Sequence, residues 1–136
     1  MSQSKKPRKA YKPRRVDIPM CVETRDQLAL DLRMSIETLI AAPSVDSYNA
    51  LSLRLITVGR VLGKQQFMEQ AKQAMLDVAA RFERVGKMGV SDAEAVALRA
   101  TAGNMDAALA TVPVNRFHAA DVKTRVWCMA NGVEAA

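Results

Sequence analysis

The residues best able to do chemistry lie between positions 5 and 15. Lys5, Lys6, Arg8, Lys9, Lys12, Arg14 and Arg15 supply seven cations there, with no acid among them and one aromatic, Tyr11. They form a short tandem repeat, Lys6-Pro7-Arg8-Lys9-Ala10-Tyr11 followed by Lys12-Pro13-Arg14-Arg15. Prolines favour the extended polyproline II conformation, with three residues per turn. In that geometry Lys6, Lys9, Lys12 and Arg15 share one edge, Lys5, Arg8, Tyr11 and Arg14 a second, and Pro7, Ala10 and Pro13 the third. Two cationic rails, each repeating every ~9 Å, suit a track of phosphates. Tyr11 is placed to stack on an exposed base or to ride a groove wall.

Seven neutralised phosphates set a salt slope of at most about −6 on duplex DNA and about −5 on single strands. Such binding is sequence-independent, so this stretch supplies attraction without base readout. The competing readings are plainer. A cationic tail that only aids solubility is one. A nuclear import signal is another, for which Lys5-Lys6-Pro7-Arg8-Lys9 would serve in a eukaryotic cell. Attachment to acidic lipid lacks the second membrane signal that stable anchoring needs, and a minor-groove hook lacks its central glycine.

Catalytic inventory is thin, and the expectation is a non-enzyme with no cofactor. His118 is the one histidine, and Cys21 and Cys128 are too far apart in sequence for a metal knuckle or redox pair. Two reduced thiols are the expected state. Gly86-Lys87-Met88-Gly89 has neither the length nor the flanking strand of a phosphate-cradling loop. Asp92 and Glu94 read as carboxylates that offset a helix dipole. The same two acids argue against a recognition helix after this turn, because they would repel phosphates where a helix-turn-helix presents Arg, Gln, Asn or Lys.

The elements that would carry the cationic stretch follow from charge and periodicity. The net charge is +6, yet residues 17–136 hold thirteen basic and all fourteen acidic residues, a net of −1. Residues 1–19 therefore read as a disordered cationic arm and hinge, too polar to offset its ordering entropy, with Asp17-Ile18-Pro19-Met20 leading into the fold. Residues 20–136 read as an all-α domain, a bundle of four to five helices. Alanine and methionine are abundant and aromatics are few, which suits helices better than sheets.

The first helix is expected from Thr24, where Thr24-x-x-Gln27 has capping-box form, with Leu28, Leu32, Ser35, Ile36, Leu39 and Ile40 inward and Pro43 as its stop. Ser44-Val45-Asp46 should cap a second, striped by Tyr48, Leu51, Leu55, Val58 and Leu62. A third runs from about Lys64 to Val85 with Phe67, Ala71, Ala74, Met75, Val78 and Phe82 inward. Gly63 marks a break or kink before it, so two helices or one long bent helix both fit, and Gly59 would admit a close neighbour. Ser91-Asp92-Ala93-Glu94 is a second capping box. Its helix uses Ala93, Val96, Ala97, Ala100, Met105, Ala108 and Leu109, closed by Pro113. A last helix spans Arg116–Met129 with Phe117, Ala120, Val126 and Trp127. Leu30, Met34, Met68 and Met88 fall off the main stripes, either widening the core or forming an adaptable interface.

Three segments together resemble a family of small, uncharacterised, basic-tailed helical proteins encoded by phages, prophages and plasmids of proteobacteria. They are Lys6-Pro-Arg-Lys-Ala-Tyr-Lys-Pro-Arg14, Arg81-Phe-Glu-Arg-Val-Gly-Lys-Met-Gly-Val-Ser-Asp-Ala-Glu94 and Val112-Pro-Val-Asn-Arg-Phe117. The resemblance implies a bacterial cytoplasm and a mobile-element setting, and carries no known activity. It favours two expectations: an accessory protein whose arm binds DNA or RNA while the body binds a protein or itself, or an inhibitor or adaptor that binds a host protein.

Overall fold

A computed structural model describes residues 16–133, and over that span the chain is all-helical with no strand. Five helices follow one another: α1 Val22–Ala41, α2 Val45–Leu62, α3 Gln66–Val85, α4 Asp92–Leu109 and α5 Val114–Ala130. Local chemistry sets most of their ends. Ser44 accepts a hydrogen bond from Ser47 N–H and Ser91 from Glu94 N–H, each completing a reciprocal capping box. Gly86 ends α3 at φ +75°, in the left-handed conformation that costs glycine nothing. Gly63 sits at φ +70° and ψ −154°, a region essentially closed to side chains bearing a Cβ. It separates α2 from α3, so the single bent helix is not formed.

Three of the expected helix starts move by two residues, α3 beginning at Gln66 rather than Lys64. α1 begins at Val22 rather than Thr24, because Thr24 Oγ1 bonds Cys21 Sγ and Gln27 donates to Asp31, leaving the predicted capping box unmade. α5 begins at Val114, directly after Pro113, whose preset φ suits a helix entrance.

Side-chain partners show that neighbouring helices run antiparallel. Arg33 pairs with Asp106 and Arg99 with Glu37, joining α1 to α4. Arg81 pairs with Glu94, and Thr101 Oγ1 donates to Phe67 C=O, joining α3 to α4. Tyr48 Oη donates to Met75 C=O between α2 and α3. α1 to α4 thus form an up-down-up-down bundle with short connections. α5 packs outside this square on α2, where Thr57 Oγ1 donates to Thr124 Oγ1 across 2.9 Å of buried interface.

The core is aliphatic, centred on Leu32, Ile36, Leu39, Leu51, Leu98 and Met105, each at most 2% exposed. The predicted stripes of α1, α2 and α3 face it. α4 keeps Met105 and Leu109 inward as expected, but its first half is rotated: Ala93, Val96 and Ala100 are exposed, while Glu94, Ala95, Leu98, Thr101 and Ala102 are buried. Apolar residues surround the first half of α4, so several phases satisfy the period there. Only 95, 98, 102, 105 and 109 continue as one straight seam through both halves.

α5 departs in the same way. Phe117 and Ala120 turn inward as expected, but Val126 and Trp127 are exposed, and Thr124 and Cys128 are the buried residues of the second half. Of the off-stripe residues, Met68 and Met88 pack on the core, while Leu30 and Met34 stand exposed on α1. Both cysteines are free thiols, Cys128 buried and Cys21 exposed. Gly59 is not required for the α2–α3 approach: a Cβ there would meet Met68 Cε at 3.5 Å, an ordinary contact.

Candidate nucleic-acid interface

The predicted contact residues Lys5, Lys6, Arg8, Lys9, Tyr11, Lys12, Arg14 and Arg15 lie outside the described residues. The structure does describe their root. Residues 16–19 are hydrogen-bonded along the entrance of α5, nearly a hundred positions away in sequence. Val114 N–H donates to Ile18 C=O at 2.8 Å, and a single antiparallel bridge pairs Pro19 with Pro113. The Asn115 amide brackets the segment: Oδ1 accepts from Ile18 N–H at 2.9 Å, and Nδ2 donates to Val16 C=O at 3.1 Å. Arg116 closes the clip with two parallel bonds to the Asp17 carboxylate, at 3.0 and 3.1 Å.

The end of α5 explains why the chain docks here. A helix leaves its first N–H groups without partners inside the helix, and Pro113 offers no side-chain cap. Ile18 C=O takes the Val114 N–H. No acid occupies the first turn of α5, and Asp17 brings a carboxylate to that end, where the helix dipole favours negative charge. The segment read from sequence as a hinge is a clip.

Beside the clip runs a cleft of about 420 Å³, walled by Arg60 and Val61 at the end of α2 and by Asn115, Arg116, Ala119, Ala120 and Lys123 of α5. Three of these seven residues are cationic and none is acidic. Arg116 is engaged by Asp17, whereas neither Arg60 nor Lys123 has an ion-pair partner among the described residues. Both are exposed. Val61, Ala119, Ala120 and the Asn115 amide line the rest. Sequence reasoning missed this feature, because Arg60 and Lys123 meet only through the antiparallel packing of α2 on α5. The Thr57–Thr124 contact was the one local signal, and it is not readable as a pair from either threonine alone.

Other concave features carry different chemistry. A cavity of about 240 Å³ between α1, α2 and α5 is lined by Leu32, Val58, Leu109 and Phe117 together with Asp31, Arg54, Asp121 and Arg125. Its carboxylates are already engaged, Asp31 by Gln27 and Asp121 by Arg125. A more apolar groove of about 590 Å³ runs between α2 and α3, past Tyr48, Ile56, Met68 and Leu76. Among the described residues no three His, Cys, Asp or Glu side chains gather closely enough to hold a metal ion, and no helix is long and apolar enough to cross a membrane.

No protein-family model, curated protein or solved structure matches the chain. The reading of the interface therefore rests on its charge and geometry.

The most buried ion pair among the described residues lies elsewhere. Arg81 forks onto Glu94, and Glu94 also accepts from Ser91 N–H at 2.9 Å. The Arg81 hydrogen bonds hold the Glu94 carboxyl below the usual carboxylate range against the opposing effect of burial, with the Ser91 N–H assisting. Arg99 lowers Glu37 in the same way at the surface. These pairs join helices and touch no cleft described above. Glu94, read from sequence as a carboxylate at a helix start, is in addition the buried partner of Arg81.

Proposed function

We propose that the protein is a non-enzymatic accessory factor that binds nucleic acid through its N-terminal arm, without base readout, and uses the helical body to hold that arm at a fixed exit. The observation that carries this reading is the concentration of seven cations and no acid in residues 1–15, against a body of net charge −1. Phosphates are the partner that such a stretch attracts most broadly. The clip at residues 16–19 supports it: Val16 is bonded to α5, so Arg15 is one peptide bond from a defined point on the body. Binding inside a bacterial cell, in the mobile-element setting that the resemblance implies, belongs to the same proposal.

The test is a gel shift with and without residues 1–15. Truncation after Arg15 leaves every bond of the clip in place, so the body keeps its fold and only the cations go. Full-length protein should shift DNA or RNA at low salt, with a log–log salt slope no steeper than about −6 on duplex. The truncated protein should lose most of that affinity. The rival reading, an inhibitor or adaptor of a host protein, predicts no shift at low salt and a partner that survives nuclease treatment in a pull-down. Absence of any shift by the full-length chain would sink the nucleic-acid proposal.

A further inference from the structure

We infer that the α2–α5 cleft is a second phosphate-binding segment, continuous with the arm, in which Arg60 and Lys123 grip the nucleic-acid backbone that the arm has captured. The inference rests on the arm's proposed function and adds to it a role for the body.

The argument begins with position. The arm's root lies on the cleft wall: Val16 C=O and Ile18 N–H are both bonded to Asn115, which lines the cleft. A backbone tracked by the arm toward its root therefore arrives at Arg60, Arg116 and Lys123. Charge is the second point. The cleft has no acidic lining residue although the body as a whole is slightly acidic, and with Arg116 engaged by Asp17 its two remaining cations are Arg60 and Lys123. The third is pairing. Among the described residues six ion pairs engage Arg25, Arg33, Arg81, Arg99, Arg116 and Arg125. Arg60 and Lys123 are in none of them, and neither are Arg54, Lys64, Lys72, Arg84 and Lys87, so both are available and it is their shared place beside the arm's root that sets them apart.

A structural role accounts for part of this. Arg60 lies in the last turn of α2, where a cation offsets the negative end of the helix dipole. Lys123 sits in the middle of α5 and has no such task. Their convergence on one cleft with the arm's root is what points to an anionic ligand. The recognised group is the phosphodiester, common to DNA and RNA.

The experiment titrates full-length protein into a fluorescein-labelled short DNA duplex and, separately, a short single-stranded RNA, reading anisotropy over a range of salt. Three proteins are compared: the unmodified chain, the neutral pair Arg60→Gln/Lys123→Gln, and the charge-keeping pair Arg60→Lys/Lys123→Arg. Nine contacts instead of seven steepen the limiting slope on duplex from about −6 to about −8. The neutral pair should therefore lower the slope by close to 2 and weaken binding by up to roughly 60-fold at 0.1 M salt. The charge-keeping pair should retain both. The probe on which the loss is seen identifies the source of the phosphates.

An unchanged slope on both probes, with affinity within about twofold, overturns the inference while leaving the arm's role intact. So does an equal loss in the charge-keeping pair, since packing and not charge would then be responsible. If the unmodified chain binds neither probe at low salt, the arm's proposed function fails and this inference falls with it. Circular dichroism of each variant should show the bundle retained, since both side chains are exposed.

Discussion

Replacing Glu94 should be the most damaging single change at a charged position in this protein, and the structure says by how much. Glu94 is 7% exposed. Its Oε1 accepts from Ser91 N–H and from Arg81, both at 2.9 Å, and its Oε2 accepts a second bond from Arg81. Glu94→Ala removes both halves of this arrangement. Of the reciprocal cap it removes the Ser91 N–H bond to the carboxylate, worth about 1 kcal/mol, while Glu94 N–H still donates to Ser91 Oγ. The charge-assisted contact to Arg81 adds about 2 kcal/mol, less than a fully buried pair because the Arg81 side chain is 31% exposed. The sum, about 3 kcal/mol, corresponds to a fall in melting temperature on the order of 10 °C for a domain of this size.

Two partial variants separate the contributions. Glu94→Gln keeps an acceptor for Ser91 N–H but loses the charge and one of the two acceptors for Arg81, so it should cost about 2 kcal/mol. Ser91→Ala removes the other half of the cap, the acceptor for Glu94 N–H, and should cost about 1 kcal/mol. The sign of the pH dependence follows from the lowered pKa of Glu94. A carboxyl depressed in the folded state contributes its full stabilisation above its unfolded pKa, near 4.5, and loses it as pH falls through the folded value. Denaturant titration of the unmodified chain and of Glu94→Gln, from neutral pH down into the acid range, is the assay. The stability difference should be constant at neutral pH and shrink below about pH 4.5. A Glu94→Ala variant within about 0.5 kcal/mol of the parent would refute the reasoning, as would a Glu94→Gln gap that is independent of pH.

Two further outcomes test the packing. Gly63→Ala should destabilise by about 1–3 kcal/mol, because its φ of +70° and ψ of −154° exclude a Cβ, whereas Gly59→Ala should be tolerated; thermal melting distinguishes them. Thr57→Val and Thr124→Val each remove the bond between the helices but leave the remaining hydroxyl donating to a carbonyl of its own helix, Ala120 or Leu53 respectively. Each should therefore cost no more than about 1 kcal/mol and the double variant less than the sum, as a double-mutant cycle in urea would show.

The legible part of this protein was the part written locally. The caps at Ser44 and Ser91, the stop at Gly86 and the break at Gly63 depend on residues within one turn of each other, so residue type alone located them. The stripes of α1 to α3 were readable for a related reason: polar residues bound each apolar face and leave one phase. α4 lacks that boundary. Ala93, Ala95, Val96, Ala97 and Leu98 are almost continuous, and the true face emerges only when Arg81 and Glu94 are brought together across the α3–α4 turn. α5 is apolar on two sides, with Val122, Val126 and Met129 outward and Ala120 and Cys128 inward. Nothing in the helix itself says which side meets α2.

The same division runs through the candidate interface. The sequence by itself determined that the excess positive charge is confined to residues 5–15, since charge is additive and needs no fold. Only the tertiary structure decided where that stretch leaves the body and what stands beside it. Asp17 finds Arg116, and Ile18 finds Asn115, because the open end of α5 has N–H groups and a positive dipole end to satisfy. Arg60 and Lys123 become neighbours because α2 and α5 pack antiparallel through Thr57 and Thr124. Such contacts depend on how distant surfaces fit together, a property of packing that no local pattern of residues encodes.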